Sequence, residues 1–291
     1  MIRSFLLTLL ILVISFSCEE QENTVESGVN FEEASTFLSD MFTQTIRHSI
    51  NNAKFEVNKG QLKLTNSDIT GNYLQENYFP ELKTLELSSN FQFNARSAED
   101  EDYFSEDQQS FISDLDYAMN NVESVEEFYS SIEEYRNRAI SDPVLSDNQK
   151  FEMLAVVESS YALHEYLIAG GISEIKEVLP EFNLSNDRSA RVNQERPKYE
   201  VLKCDDKENA DCLKGSGCSV NWRSVWGSAV IGFFANGTRG AIAGCAGGTV
   251  VLPLIGTAGG CVGGAVFGAA GGYVVGALTG IATELLTSCG R

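Results

Sequence analysis

The chain has 291 residues, a formal net charge of −20 and 25 glycines, which leaves room for one or two domains. Four of its Lys and Arg residues but one acid fall after residue 213, a balance of +3, against 17 cations and 40 acids before it, a balance of −23. An acidic front of that size repels phosphates and excludes nucleic acid as a partner.

Glycine is equally uneven, with 20 of 25 after residue 213, so the chain reads as an acidic front and a glycine-rich, mildly cationic back. Residues 1–18 have the layout of a signal peptide: Arg3 is a positive start, Phe5 to Phe16 an apolar run, and Ser17 a small residue before Cys18. The apolar run is too short for a comfortable transmembrane helix. Cys18 in this setting resembles the lipid-attachment cysteine of bacterial lipoproteins. Ser15 stands where leucine is typical and Phe16 is bulky, whereas Ser17 and Cys18 fit the pattern. The resemblance implies lipidation of Cys18 and an exported, lipid-anchored protein at the bacterial outer membrane or cell surface. Residues 19–29, with Glu19, Glu20 and Glu22, look like the acidic tethers of some surface-exported lipoproteins, the alternative being a plain solvated tail.

Residues 30–185 read as an acidic helical domain. Asn30 with Glu33 forms a capping pattern ahead of apolar residues at helical spacing from Phe31 to Ile50. Residues 51–66 alternate, and fit either a short hairpin about Asn58 to Gly60 or an irregular loop. A helix is expected over 73–90 around Leu82 and Leu85, then a charged loop over 95–107. Phe111 to Val122 mark the next helix. Ser124 with Glu127 caps another, which ends at Asp142-Pro143. Ser146 and Gln149 open a long helix closed by Gly170-Gly171, and a short one stops at Pro180. Residues 186–198 are polar and read as a linker. His48 and His164 lie within amphipathic helices and read as surface or core residues. Paired acids such as Glu133-Glu134 read as solvated faces, and Ser159-Ser160 has no nucleophile-elbow pattern. There is no phosphate-binding loop or dinucleotide fingerprint. No catalytic residue, cofactor or enzymatic activity is expected.

Residues 199–291 form the Cys- and Gly-rich module. Gly256, Gly260, Gly264, Gly268, Gly272, Gly276 and Gly280 recur every fourth residue, so they share nearly one helical face. Each interior glycine costs about 1 kcal/mol relative to alanine, so a close partner helix, a bilayer or both must offset the cost. Arg239 and Glu284 bound a stretch without formal charge, broken by Pro253, which predicts two helices, roughly 222–251 and 256–286. Asn236-Gly237 is a turn signal at which the first helix either breaks or continues. If continuous, a fully spanning hairpin holds Arg239 within the hydrocarbon. Gly232, Gly240, Gly244 and Gly248 supply the matching small face. In an antiparallel pairing, Gly248 with Gly256, Gly244 with Gly260, Gly240 with Gly264 and Gly232 with Gly272 are level, their numbers summing to 504.

The same register places Cys245 near Cys261 and Cys218 near Cys289, which leaves Cys204 and Cys212 for a local loop. An even set of six cysteines beyond Cys18 favours disulfides in an exported chain; six allow fifteen connectivities, of which the glycine register ranks these three pairs first. None of the spacings is CxxC and no histidine follows His164, so no metal site is expected.

The expected fold is mainly α, an N-terminal helical bundle plus a C-terminal antiparallel helical hairpin. The module from Gly215 to Leu286 resembles the glycine-zipper segment of bacterial envelope lipoproteins. Its Trp222, Trp226, Gly240-xxx-Gly244 and C-terminal cysteine also resemble class II bacteriocins, small cationic membrane-permeabilising peptides. These resemblances imply membrane lipid as a partner, and glycine faces able to form a homo-oligomer. Three roles are expected: an envelope lipoprotein with a membrane-seated hairpin, a shielded toxin-like precursor, or a surface module that binds an unknown protein partner. The hairpin's apolar outer face (Val251, Leu254, Val262, Val266, Phe267, Val274, Val275, Leu278) either meets lipid or docks on the front domain.

Overall fold

The computed structural model describes residues 30–58, 61–80, 103–179, 220–245, 249–252 and 256–289. The signal, Cys18, the tether, the linker, Cys204, Cys212, Cys218 and Gly248 lie outside the described residues. So do the pairings Cys204–Cys212 and Cys218–Cys289, since the side chain of Cys289 is not described either. What is described is mainly helical.

Local capping sets the helix starts. In α1 (Phe31–Asn52) the Asn30 side chain accepts from the Glu33 amide, and Ala34, Leu38, Met41, Phe42 and Ile46 line the buried face. Strands β1 (Phe55–Asn58) and β2 (Gln61–Leu64) pair antiparallel, Phe55 opposite Leu64, so the hairpin alternative is the one that forms. Helix α2 (Asp68–Asn77) corrects the start of the helix expected over 73–90; residues 81–90, with Leu82 and Leu85, lie outside the described residues. The helix begins earlier and stops before Phe79-Pro80, because a residue preceding proline is driven out of the helical region. Helices α3 (Glu106–Asn121) and α5 (Asp147–Tyr166) start in reciprocal capping boxes, Ser105 with Gln108 and Ser146 with Gln149. Ser124 caps α4 (Val125–Ser141) by accepting from the Glu127 amide.

Helix α5 is the centre of the front. Phe151 to Ser160 are all buried, so this helix has no solvated stripe and is covered on every side. Its end widens into a π-turn, Leu167–Gly171, where Gly170 takes φ 101°, a left-handed conformation that glycine adopts without strain. The short α6 (Ile172–Val178) follows.

The back is a hairpin of α7 (Trp222–Cys245) and α8 (Gly260–Cys289). Helix α7 runs unbroken through Asn236-Gly237. The buried Asn236 amide turns back on its own helix and donates to the Gly232 carbonyl at 3.2 Å. The tip departs from two long helices meeting at a proline turn. Strands β3 (Thr249–Leu252) and β4 (Gly256–Gly259) pair antiparallel there, Thr249 opposite Gly259 and Leu252 opposite Gly256. The β-branched Thr249-Val250-Val251 favour extended backbone, and Pro253 cannot continue a helix.

One hydrophobic core runs through both parts. Phe42 of α1 meets Tyr273 of α8 edge-on at 6.1 Å, and Phe79 meets Phe267 at 5.5 Å. Phe104 packs on Phe233 and Phe234 of α7. Trp226 donates its indole N–H to Asp116 of α3 at 2.8 Å. On the hairpin's outer face, Val266, Phe267, Val274, Val275 and Leu278 are buried against the protein itself and Val262 is half-buried. Arg239 is exposed to solvent.

Candidate functional site

The hairpin interface is made by backbone against backbone. A β-carbon added to Gly240 would lie 2.0 Å from the Gly264 carbonyl oxygen, and one added to Gly264 would lie 2.1 Å from that of Gly240. Gly232 and Gly272 oppose each other in the same way, at 2.1 and 2.0 Å. A β-carbon added to Gly244 would likewise lie 2.0 Å from the Gly260 carbonyl oxygen, one on Gly268 2.1 Å from that of Asn236, and one on Gly276 2.3 Å from that of Ser228. These pairs are the level positions of the antiparallel register. Gly280 is looser, since a β-carbon there would lie 3.0 Å from the Ser228 side chain. Such contact brings Cα–H groups against carbonyl oxygens, the packing that serves helices in lipid. Gly256 is a correction: it belongs to β4, opposite Leu252, and takes no part in the helix interface, because the helix it was expected to open begins only at Gly260.

At the tip end, Cys245 and Cys261 are joined in a disulfide with Cα atoms 4.1 Å apart. It closes a short loop across a separation of 16 residues, which in the chain-entropy account stabilises by about 3 kcal/mol.

Two buried titratable groups on α5 flank the hairpin, one toward each end. Toward the tip, Glu152 accepts from the Tyr103 hydroxyl at 2.7 Å and from the Gln108 side-chain amide at 2.7 Å. The Tyr103 hydroxyl also lies 3.5 Å from the Cys261 carbonyl oxygen, tying the front to the tip. Burial pushes Glu152 up to about 7, against the smaller opposing effect of its two hydrogen bonds. Toward the base, His164 lies face to face on Phe128 and is pushed down to about 4 by burial. A second buried carboxylate, Glu158, is paired with Arg136, with Nε–Oε1 2.6 Å, and serves the front's own core.

Sequence reasoning passed over Glu152 and left His164 as an ordinary surface or core residue. A signal was present: both lie in α5, where Phe151 and the run Met153 to Val157 leave no polar face for them to occupy. The Ser159 and Ser160 hydroxyls donate to the Val156 carbonyl. Among the described residues no group of three or more His, Cys, Asp or Glu is placed to hold a metal ion. No family model, curated protein or solved structure matches the chain.

Proposed function

We propose that the chain is a non-enzymatic exported envelope lipoprotein, lipid-tethered at Cys18, that stores a membrane-insertable glycine-zipper hairpin within its own acidic helical bundle. The observation that carries this reading is the covering of Gly260–Leu285. This stretch of 26 residues is long and apolar enough to cross a membrane, and 94% of its most apolar window is buried inside the protein. The two sides of the hairpin have different physics. Its inner seam is backbone contact plus a disulfide, which needs no water to drive it and survives transfer to lipid. Its outer contacts are apolar side chains against the bundle, which hydrocarbon can replace. The hairpin is therefore a unit able to exchange a protein sheath for a lipid one. A homo-oligomer through the glycine faces would first require α7 and α8 to part.

Two measurements test this. A Cys18→Ala change should move the protein from the membrane pellet to the soluble fraction; unchanged fractionation removes the lipid tether. Full-length protein incubated with anionic vesicles under mildly destabilising conditions should gain protease protection over 260–285. Absence of protection under every condition removes insertion.

The charge pattern supports a second reading, in which the sheathed hairpin is a bacteriocin-like permeabiliser. A front of −23 covers a back of +3, which screens the module from anionic membranes until release. Dye release from the same vesicles on insertion supports it, and insertion without release excludes it.

A further inference from the structure

We infer that the joint around His164 is an acid-sensitive latch that holds the base of the hairpin in its sheath, an inference that rests on the storage reading above. The His164 ring is fully buried and stacks on Phe128 of α4, with centroids 3.7 Å apart and planes 12° from parallel. Trp222, the first residue of α7, meets His164 edge-on at 5.5 Å and Phe128 at 5.3 Å. Trp222 in turn stacks on Trp226, which reaches Tyr273 of α8. One imidazole therefore touches the sheath and the first turn of the hairpin together, and the rings continue from there into the second hairpin helix.

Charging that imidazole takes a cation out of water and sets it against the rings of Phe128, Tyr129 and Trp222. The Phe128 face attracts a cation weakly, which is small beside the lost hydration of a fully buried imidazolium. Among the described residues, the ionisable groups on the elements packed around the joint have partners of their own. On α4 the Tyr129 hydroxyl donates to Glu165 of α5. On α7, Arg223 donates to the Asn120 carbonyl of α3, and Asp116 of α3 accepts from Trp226. On α8 the ionisable residue near the level of Trp222 is Glu284, half-buried. The Trp222 indole N–H has no hydrogen-bond partner among the described residues, a cost that leaving the joint relieves.

The sign follows from burial. His164 is neutral in the closed joint, pushed down to about 4, and takes a proton near its ordinary 6.5 once released. The joint is whole above that value and weakens as pH falls from 6.5 towards 4. Glu152 at the other end has the opposite sign, since acid favours its buried neutral form. Acid therefore opens the hairpin from the base while the tip stays seated.

The test uses full-length protein, with hydrogen exchange read by mass spectrometry at pH 7.5 and 4.5 and corrected for intrinsic rates. Peptides spanning 222–232 should lose protection by about tenfold or more at pH 4.5, while those over 260–268 keep theirs. His164→Phe keeps the stack without the charge and should hold the base closed at pH 4.5. A base that stays closed in wild type at pH 4.5, or opens equally in His164→Phe, overturns the latch. If that variant does not fold, the titration of His164 in wild type, followed by NMR, decides: an ordinary value near 6.5 overturns the latch and a value well below 5 supports it. Binding to vesicles of three parts phosphatidylcholine to one part phosphatidylglycerol is measured alongside. It should rise over the same pH range as the base opens. A base that opens in acid by way of His164 without any vesicle binding keeps the latch and overturns the storage reading.

Discussion

At Gly240 a single methyl group would meet the Gly264 carbonyl 2.0 Å away, and neither helix can yield without parting from the other. Gly240→Ala should therefore destabilise the protein by about 3 kcal/mol in urea unfolding, at the upper end of overpacking costs, despite alanine's better helix propensity. Gly227 on the same helix has open space where its β-carbon would stand. Gly227→Ala should stabilise by about 0.5–1 kcal/mol, and the opposite signs of the two changes separate seam contact from propensity. Glu152 gives a third residue-scale outcome. Its carboxyl is raised from 4.5 to about 7, so the stability it contributes is complete below pH 4.5 and is lost as pH rises through 7. Glu152→Gln should remove about 3 kcal/mol of that pH dependence, leaving the variant the more stable of the two at pH 8.

Among the elements, those whose ends are written in side chains were legible from the amino-acid order. Asn30, Ser124 and Ser146 cap helices whose first turns follow at the expected positions. Helix α2 was misplaced because Ser67 makes no side-chain cap there, so nothing local marked its start. The tip was misread because Thr249-Val250-Val251 suits a short strand as well as a helix end, and a turn residue alone does not choose between them. The seam register was legible since small residues at a fixed spacing admit few pairings. The environment of Glu152 and His164 was not, because it is set by elements remote in sequence: Tyr103 and Gln108 for one, Phe128 and Trp222 for the other. The tip disulfide makes its own prediction. Replacing Cys245 and Cys261 by alanine together should cost about 3 kcal/mol, and a reducing agent should reproduce the loss in wild type.

At the scale of the molecule, the acidic front and the glycine-rich back share a single core, although their compositions suggest two separable parts. Composition could not tell whether the hairpin's outer face meets lipid or protein, because both are apolar neighbours. A shared core predicts one cooperative transition in calorimetry, with the calorimetric and van 't Hoff enthalpies equal. It also predicts that a chain ending at residue 185 leaves Phe42, Phe79, Phe104 and Phe128 uncovered. Such a chain should bind a hydrophobic dye and lose its sharp melting. Two resolved transitions in the intact protein would show that the front and the hairpin are not energetically coupled.

The four-residue spacing of the seam has a further consequence. A ladder with a constant step looks nearly the same to its partner after a slide of one step, roughly 6 Å along the axis. Glycine contact alone leaves α8 with several near-equivalent seats on α7. The Cys245–Cys261 bond admits one of them, and the Asn236 side chain wedged against Gly272 marks the same one. Oxidised, the hairpin is a rod pinned twice; reduced, it keeps its seat through Asn236, and a ratchet-like step along the seam needs that side chain to move aside as well.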